Sequence, residues 1–251
     1  MVDDRKAFRD AALAFVCVGV AVVGLVHLSI EVPGIGHLGS ALIAMLFLFV
    51  PMYVSAKRGE ELEDYGFRPE PVGKGLAIAG VSIAVIIPLF ALGYFAFYEI
   101  ACNSQLLAHL VPHNMCGRYG GLAGLHAPVL TWSSGPGAPT LSAEFLVVQF
   151  GVVALPEELF FRGMLLTLLE QRFPPKRRFL GGGVGLALVL SAAAFAIIHL
   201  PKDGDPRALA TFFPGLLFGW MRSATGSILA STITHGFSNI LVRILDLCVQ
   251  R

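Results

Sequence analysis

Charge is scarce in this chain. Lys and Arg number 18 and Asp and Glu 17 among 251 residues, so that 14% are charged against 55% hydrophobic. A soluble globule carries about 25% charged residues, so the composition excludes one and describes a polytopic membrane protein. A net charge of +1 gives no basic excess with which to hold nucleic acid, and only the placement of the cations is informative. Low-complexity segments and internal repeats are also missing, and with them the paired broken helices of an inverted-repeat transporter. The terminal Cys248-Val249-Gln250-Arg251 is a poor prenylation box, because Arg is not a usual last residue there. No His-Glu-x-x-His occurs, which removes the commonest helical zinc-protease signature. Of four cysteines, Cys17 and Cys248 lie in apolar runs and read as small buried side chains. Cys102 and Cys116 share one long polar connection, where a disulfide and two free thiols both stay open.

Long apolar runs are what the chain has in abundance. They fall near residues 11–30, 38–55, 75–98, 143–169, 182–200, 208–221 and 226–247. Open strands cannot cross lipid with unpaired backbone groups, so each run is expected to be helical. The fold expected is all-α, a transmembrane bundle of about seven spans forming a single integral membrane domain over residues 1–251. The run after the charged start continues to Ile30 without a cleavage-like exit and reads as a retained first span. The sixth run is short and interrupted by Pro214-Gly215. Arg5, Lys6, Arg9, Lys57, Arg58, Arg68, Lys74, Arg172, Lys176, Arg177, Arg178 and Arg222 fall on one side of an alternating seven-span chain. Arg118, Lys202, Arg207 and Arg251 fall on the other. Basic loops stay inside, so the expectation is a multi-pass plasma (inner) membrane protein with a cytoplasmic amino terminus. The 100–142 connection is then an extramembrane loop outside. Its His109 and His113 flank Pro112 and read as solvated, and Glu60-Glu61-Leu62-Glu63-Asp64 reads as a solvated charge run.

Pro156-Glu157-Glu158-Leu159-Phe160-Phe161-Arg162 places two acids and a base inside the run from Phe145 to Leu169. Each charge at membrane depth costs on the order of 3 kcal/mol even on mild insertion scales, so the stretch marks a site and asks for partners. Two later polar points answer it: His199, and the pair His235 and Asn239. Glu158 and Arg162, four apart, share a helix face and make an ion pair, while the adjacent Glu157 turns toward a different neighbour. Pro156 frees the carbonyl of Val152 and loosens the helix just before the acids. Phe195, four before His199, could wall the site, and Ser191 with Ala192, Ala193 and Ala194 offers a small surface for close helix approach. His235 and Asn239 share a face and can donate hydrogen bonds to a developing oxyanion. His199 lies about 24 Å beyond Gly183 at helical rise, near the outer end of its span if helix starts there.

In order and spacing, Glu157-Glu158-x-x-x-Arg162, Phe195-x-x-x-His199 and His235-x-x-x-Asn239 resemble the three motifs of the CAAX protease and bacteriocin-processing family of glutamic intramembrane endopeptidases. Phe213-Pro214-Gly215 through Trp220 and Thr225-Gly226-Ser227-Ile228 look like that family's connection into the third motif. Tyr65-Gly66-Phe67 is similar to a less specific element of it. The resemblance implies a catalytic core over about 143–247 and a cofactor-free, metal-independent reaction. Glu157 with His199 would activate water, His235 and Asn239 would hold the oxyanion, and Glu158, Arg162 and Phe195 would support them. It implies a substrate that is a membrane-anchored protein or peptide, with or without a lipid, cut near its carboxy terminus. A myxosortase-like bacterial branch that trims carboxy-terminal sorting tails is within its reach. Two other readings are open: a zinc metalloprotease with Glu157, His199 and His235 as ligands, and a non-catalytic membrane immunity or scaffold protein.

Overall fold

A computed structural model describes residues 4–32, 36–104, 116–117, 119–125, 127, 142–204 and 206–249. His109, His113, His126, Arg118, Arg251 and most of the 100–142 connection lie outside them. The regular structure of the described chain is helical apart from two small hairpins, in keeping with the all-α membrane bundle expected. Helix α1 runs Asp4–Leu25, and strands β1 (Glu31–Val32) and β2 (Gly36–His37) pair before α2, Leu38–Arg58. The third helix, α3, covers Val72–Asn103. These three are long and apolar enough to cross a membrane. At 32 residues α3 extends about 48 Å, more than the ~30 Å hydrocarbon core requires.

Helix α4 occupies residues 143–172 and is wound unevenly. Ala143–Val147, Leu155–Glu158 and Leu166–Arg172 are α-helical, whereas Val148–Ala154 and Leu159–Leu165 are π-helical. Pro156 cannot donate its backbone bond, and the wide π segment lies just ahead of it, where the sequence called for a loosened helix. A hairpin follows, β3 (Arg177–Phe179) with β4 (Gly182–Val184), and then α5, Leu186–Asp203. This corrects the fifth run: Gly182–Val184 is strand, helix begins only at Leu186, and His199 lies about 20 Å along it. It stands four residues before that helix ends. A 3-10 segment (Pro206–Thr211) leads into α6, Phe212–Thr225, where Pro214 sits in the first turn and interrupts nothing. Helix α7 is Leu229–Val249.

The chain divides into two compact units, one of Met1–Ala79 with Phe150–His235, the other of Gly80–Gln149 with Gly236–Arg251. In the first, Ala7, Ala11, Ala14, Val18 and Val22 form one buried face of α1 at three- and four-residue spacing, the helical period. Phe47 of α2 meets Phe160 and Phe161 of α4 at ring distances of 5.2 and 5.4 Å. Ser191 of α5 donates to the Phe161 carbonyl (2.8 Å), and a Cβ on Gly215 would stand 3.2 Å from Ala192, so small residues set how closely these helices approach.

At the basic end of this unit Glu61, Glu63 and Asp64 of the charge run after α2 are exposed as expected, but Glu60 is not a solvated acid. Arg58 donates to Asp10 of α1 (3.1 Å), to Glu60 (2.8 Å) and to Gln171 of α4 (2.9 Å), while the Tyr65 hydroxyl donates to Glu60 (2.7 Å). Burial alone pushes the Glu60 carboxyl up, but the bonds from Arg58 and Tyr65 and the Arg58 charge carry it below the usual carboxylate range. Tyr65 is fully buried, and its phenol is pushed well above the ordinary value by burial and by Glu60. Its carbonyl lies against α4, where a Cβ on Gly163 would sit only 2.9 Å away, and it accepts from Arg222 at 3.3 Å.

In the second unit, Cys102 and Cys116 form a disulfide with a Cα separation of 5.4 Å, which decides between the two alternatives left by the sequence. Tyr94, Tyr98 and Tyr119 pack ring on ring (4.9 and 5.4 Å), Tyr119 donates to Glu99 (2.6 Å) and Tyr94 donates to Asp246. Ser142 caps α4 by accepting from the Phe145 amide at 3.0 Å.

Two stability measurements check this description. Gly163→Ala should cost about 1–3 kcal/mol, because the new methyl meets backbone rather than a yielding side chain, and is read as a lower melting temperature in detergent. Glu60 gains stability that is complete above the unfolded carboxylate value of about 4.3 and is lost as pH falls through its lower folded value. Melting of the parent should therefore drop more steeply than that of Glu60→Gln as the pH is taken below about 4.3.

Candidate active site

The acids of α4 sit where its winding changes, between two π segments. Glu158 and Arg162 are fully buried and pair at 2.8 Å, as their four-residue spacing predicts. Desolvating two charges costs several kcal/mol each, so the pair must be stabilised by more than its own attraction. Part of that comes from aromatic faces: the Arg162 guanidinium lies 3.9 Å from the Phe195 ring centroid and 5.1 Å from that of Phe218. The rest comes from α7, where His235 brings Nδ1 to 2.9 Å from the same Glu158 oxygen that Arg162 holds.

His235 does more than the sequence suggested. Its Nε2 stands 3.8 Å from Oε2 of Glu157, so the two edges of one imidazole address the two adjacent carboxylates. The sequence argument sent Glu157 and Glu158 toward different neighbours on the 100° step of a helix. The ring answers that step by carrying nitrogens on separate edges. Phe218 stacks on the same imidazole at 5.2 Å and 19°, and Phe195 meets it edge-on at 5.6 Å.

His199 reaches this cluster through Phe195, its ring 4.7 Å away. Its Nδ1 lies 2.7 Å from the Phe195 carbonyl one turn back. A carbonyl only accepts, so Nδ1 carries the proton and Nε2 of the neutral ring is left as a base. Oε2 of Glu157 and Glu158, with Nε and Nη2 of Arg162, are buried without hydrogen-bond partners among the described residues. These are polar atoms facing inward where an apolar core would have none.

The structure thus gathers Glu157, Glu158, Arg162, Phe195, His199 and His235 in the first unit. Asn239 belongs to the second, where its amide donates to Gln149 at 3.0 Å. Among the described residues no three His, Cys, Asp or Glu side chains converge as a metal set. The sequence reading missed Phe218, one apolar aromatic among 19 phenylalanines. It also missed Gln149, although a lone amide in the apolar run from Phe145 was a visible mark.

A family model described as type II CAAX prenyl endopeptidase Rce1-like matches residues 139–241. Over that segment the chain is similar to the CAAX prenyl endopeptidases. The matched residues hold all of α4, the β3–β4 hairpin, α5, α6 and the part of α7 that carries His235 and Asn239. The match points, for that segment, to an endopeptidase of the CAAX type. No curated protein and no solved structure matches the chain.

Breaking the ion pair tests how the site is held. Arg162→Met leaves Glu158 buried and unbalanced, and should destabilise the protein by about 3–5 kcal/mol. Adding Glu158→Gln should recover much of that loss, since removing both charges of a buried pair is often close to neutral; a double-mutant cycle on thermal melts in detergent reads the difference.

Proposed function

We propose that the chain is a glutamic-type intramembrane endopeptidase that hydrolyses a peptide bond near the carboxy terminus of a membrane-anchored or lipidated protein or peptide. The observation that carries this is His235 set between Glu157 and Glu158, inside a segment that matches the CAAX proteases. Glu157 takes a proton from water and the hydroxide adds to the scissile carbonyl. His199, whose Nε2 is free to accept, shares that proton and returns it to the departing amine, leaving a new carboxylate and a free amine. The carbonyl oxygen, negative in the tetrahedral intermediate, takes a hydrogen bond from Nε2 of His235. With Nδ1 turned to Glu158, Nε2 donates only when the ring carries both protons. Asn239, one turn beyond His235 in sequence, keeps its assignment as a second donor on helical spacing alone.

The orientation follows from charge and sulfur together. Most cations near helix ends fall on the side of the amino terminus, and the Cys102–Cys116 bridge suits an oxidising compartment. The amino terminus then lies in the cytoplasm and the 100–142 connection outside the inner membrane. Substrates whose tails are trimmed for sorting, the myxosortase-like case, fit this arrangement.

Glu157→Ala and His199→Ala should each lower cleavage by about 10²–10⁴-fold, the usual worth of a positioned general base, with the melting temperature little changed. His235→Ala should be nearly as severe. Carboxy-terminal peptide mapping of membranes bearing the parent or the Glu157→Ala protein identifies the substrate and scores the loss. Full turnover by Glu157→Ala would end the proposal; stoichiometric zinc in active protein, with inhibition by chelators, would replace it with a metalloprotease.

A further inference from the structure

The β3–β4 hairpin serves no part of the chemistry above, yet it is firmly built. Phe179 pairs with Gly182, so Leu180 and Gly181 alone form the turn. Trp220 of α6 donates from its indole to the Phe179 carbonyl (2.7 Å), and Ser223 accepts from the Gly183 amide at 2.8 Å. A Cβ on Gly182 would overlap the Trp220 ring. The base of the hairpin is therefore clamped to α6, and its tip is held in a fixed place.

The tip itself is badly chosen for a turn in water. Two-residue hairpin loops of this kind need positive φ at both central positions and favour Asn-Gly or Asp-Gly there. Here φ is +46° at Leu180 and +85° at Gly181. A leucine in the left-handed region is strained by its Cβ, which an asparagine tolerates better. It is also exposed: Leu180 keeps 75% and Phe179 64% of their surface accessible. Two large apolar side chains thus stand out together, one of them against its own backbone preference. Around them Lys176, Arg177 and Arg178 are exposed, and residues 173–185 contain no acid. The acid that acts on Arg178 is Glu170, on α4.

We propose that this hairpin tip is an interfacial anchor. Phe179 and Leu180 enter the headgroup and upper acyl region of the leaflet on the basic side of the protein, while Lys176, Arg177 and Arg178 hold anionic phospholipid headgroups. Apolar side chains flanked by cations, with no acid within the hairpin segment itself, are complementary to such a surface. A water-facing turn would have no use for leucine at this position. The inference is independent of proteolysis and of the roles given to Glu157 and His199.

The full chain in nanodiscs tests it. Leu180→Cys in a Cys17→Ser, Cys248→Ser background carries an environment-sensitive fluorophore, and lipids brominated in the upper acyl chain serve as quenchers. The label should be quenched by bromolipid, more so when phosphatidylglycerol replaces part of the phosphatidylcholine. Arg177→Gln with Arg178→Gln should remove that dependence. A label quenched by aqueous iodide and untouched by bromolipid in both bilayers would overturn the proposal. Leu180→Asn separates anchoring from folding, since it installs the preferred turn sequence. It should melt at or above the parent in detergent, and should lose the gain in melting temperature that the parent shows on moving from neutral to anionic nanodiscs. A variant that keeps the gain, or that melts below the parent in detergent because the tip packs on protein, would equally overturn it.

Discussion

Everything around the site answers one constraint: an acid and a base of α4 are wholly withdrawn from solvent, and ionised groups in such surroundings persist only when each is balanced. Glu158 and Arg162 balance one another at 2.8 Å, yet an isolated pair seldom repays its lost hydration. Three further elements are recruited. Phe195 from α5 and Phe218 from α6 offer ring faces to the guanidinium, and α7 supplies the imidazole of His235. Ser191 and Gly215 matter for the same reason, since aromatic faces reach the guanidinium only if α5 can lie close to α4 and α6 close to α5. Packing and electrostatics in this unit are one problem.

The arrangement also divides labour between two adjacent glutamates of identical chemistry. One is tied to a cation and spends its charge on orienting an imidazole. The other meets that imidazole only at 3.8 Å, beyond hydrogen-bond reach. Such asymmetry between neighbours is how one kind of side chain is made to play two parts. Uneven winding accompanies it: the acids occupy a four-residue α segment between two π segments, and π turns cluster where helices carry function.

Much of this was legible in the chain. Scarce charge and long apolar runs gave the helical class, and four-residue spacings gave the Glu158–Arg162 pair and the seat of His199 beside Phe195. What was not legible has physical reasons. The Gly182-Gly183 stretch read as the start of a span because a short run of small residues has no period to tell strand from helix. Its turn also lacks the Asn-Gly that would have announced a hairpin. Arg58, which holds Glu60, looked like one more cation at a helix end because its other partners Asp10 and Gln171 are 48 and 113 residues distant, and no local pattern records a contact of that range. His235 reached both carboxylates because a ring with two polar edges is not bound by the angular step that separates consecutive helical residues.

The hydrogen bond from Trp220 to the Phe179 carbonyl gives the protein an optical property of its own. The chain holds two tryptophans, Trp132 and Trp220, and the second is fastened by its indole nitrogen to a strand of the hairpin. Indole emission shifts to the red when that nitrogen exchanges a fixed carbonyl for mobile solvent. With Trp132 replaced by phenylalanine, the colour of the remaining fluorescence becomes a native gauge of whether the hairpin is seated on its helix, legible in intact membranes without any added dye.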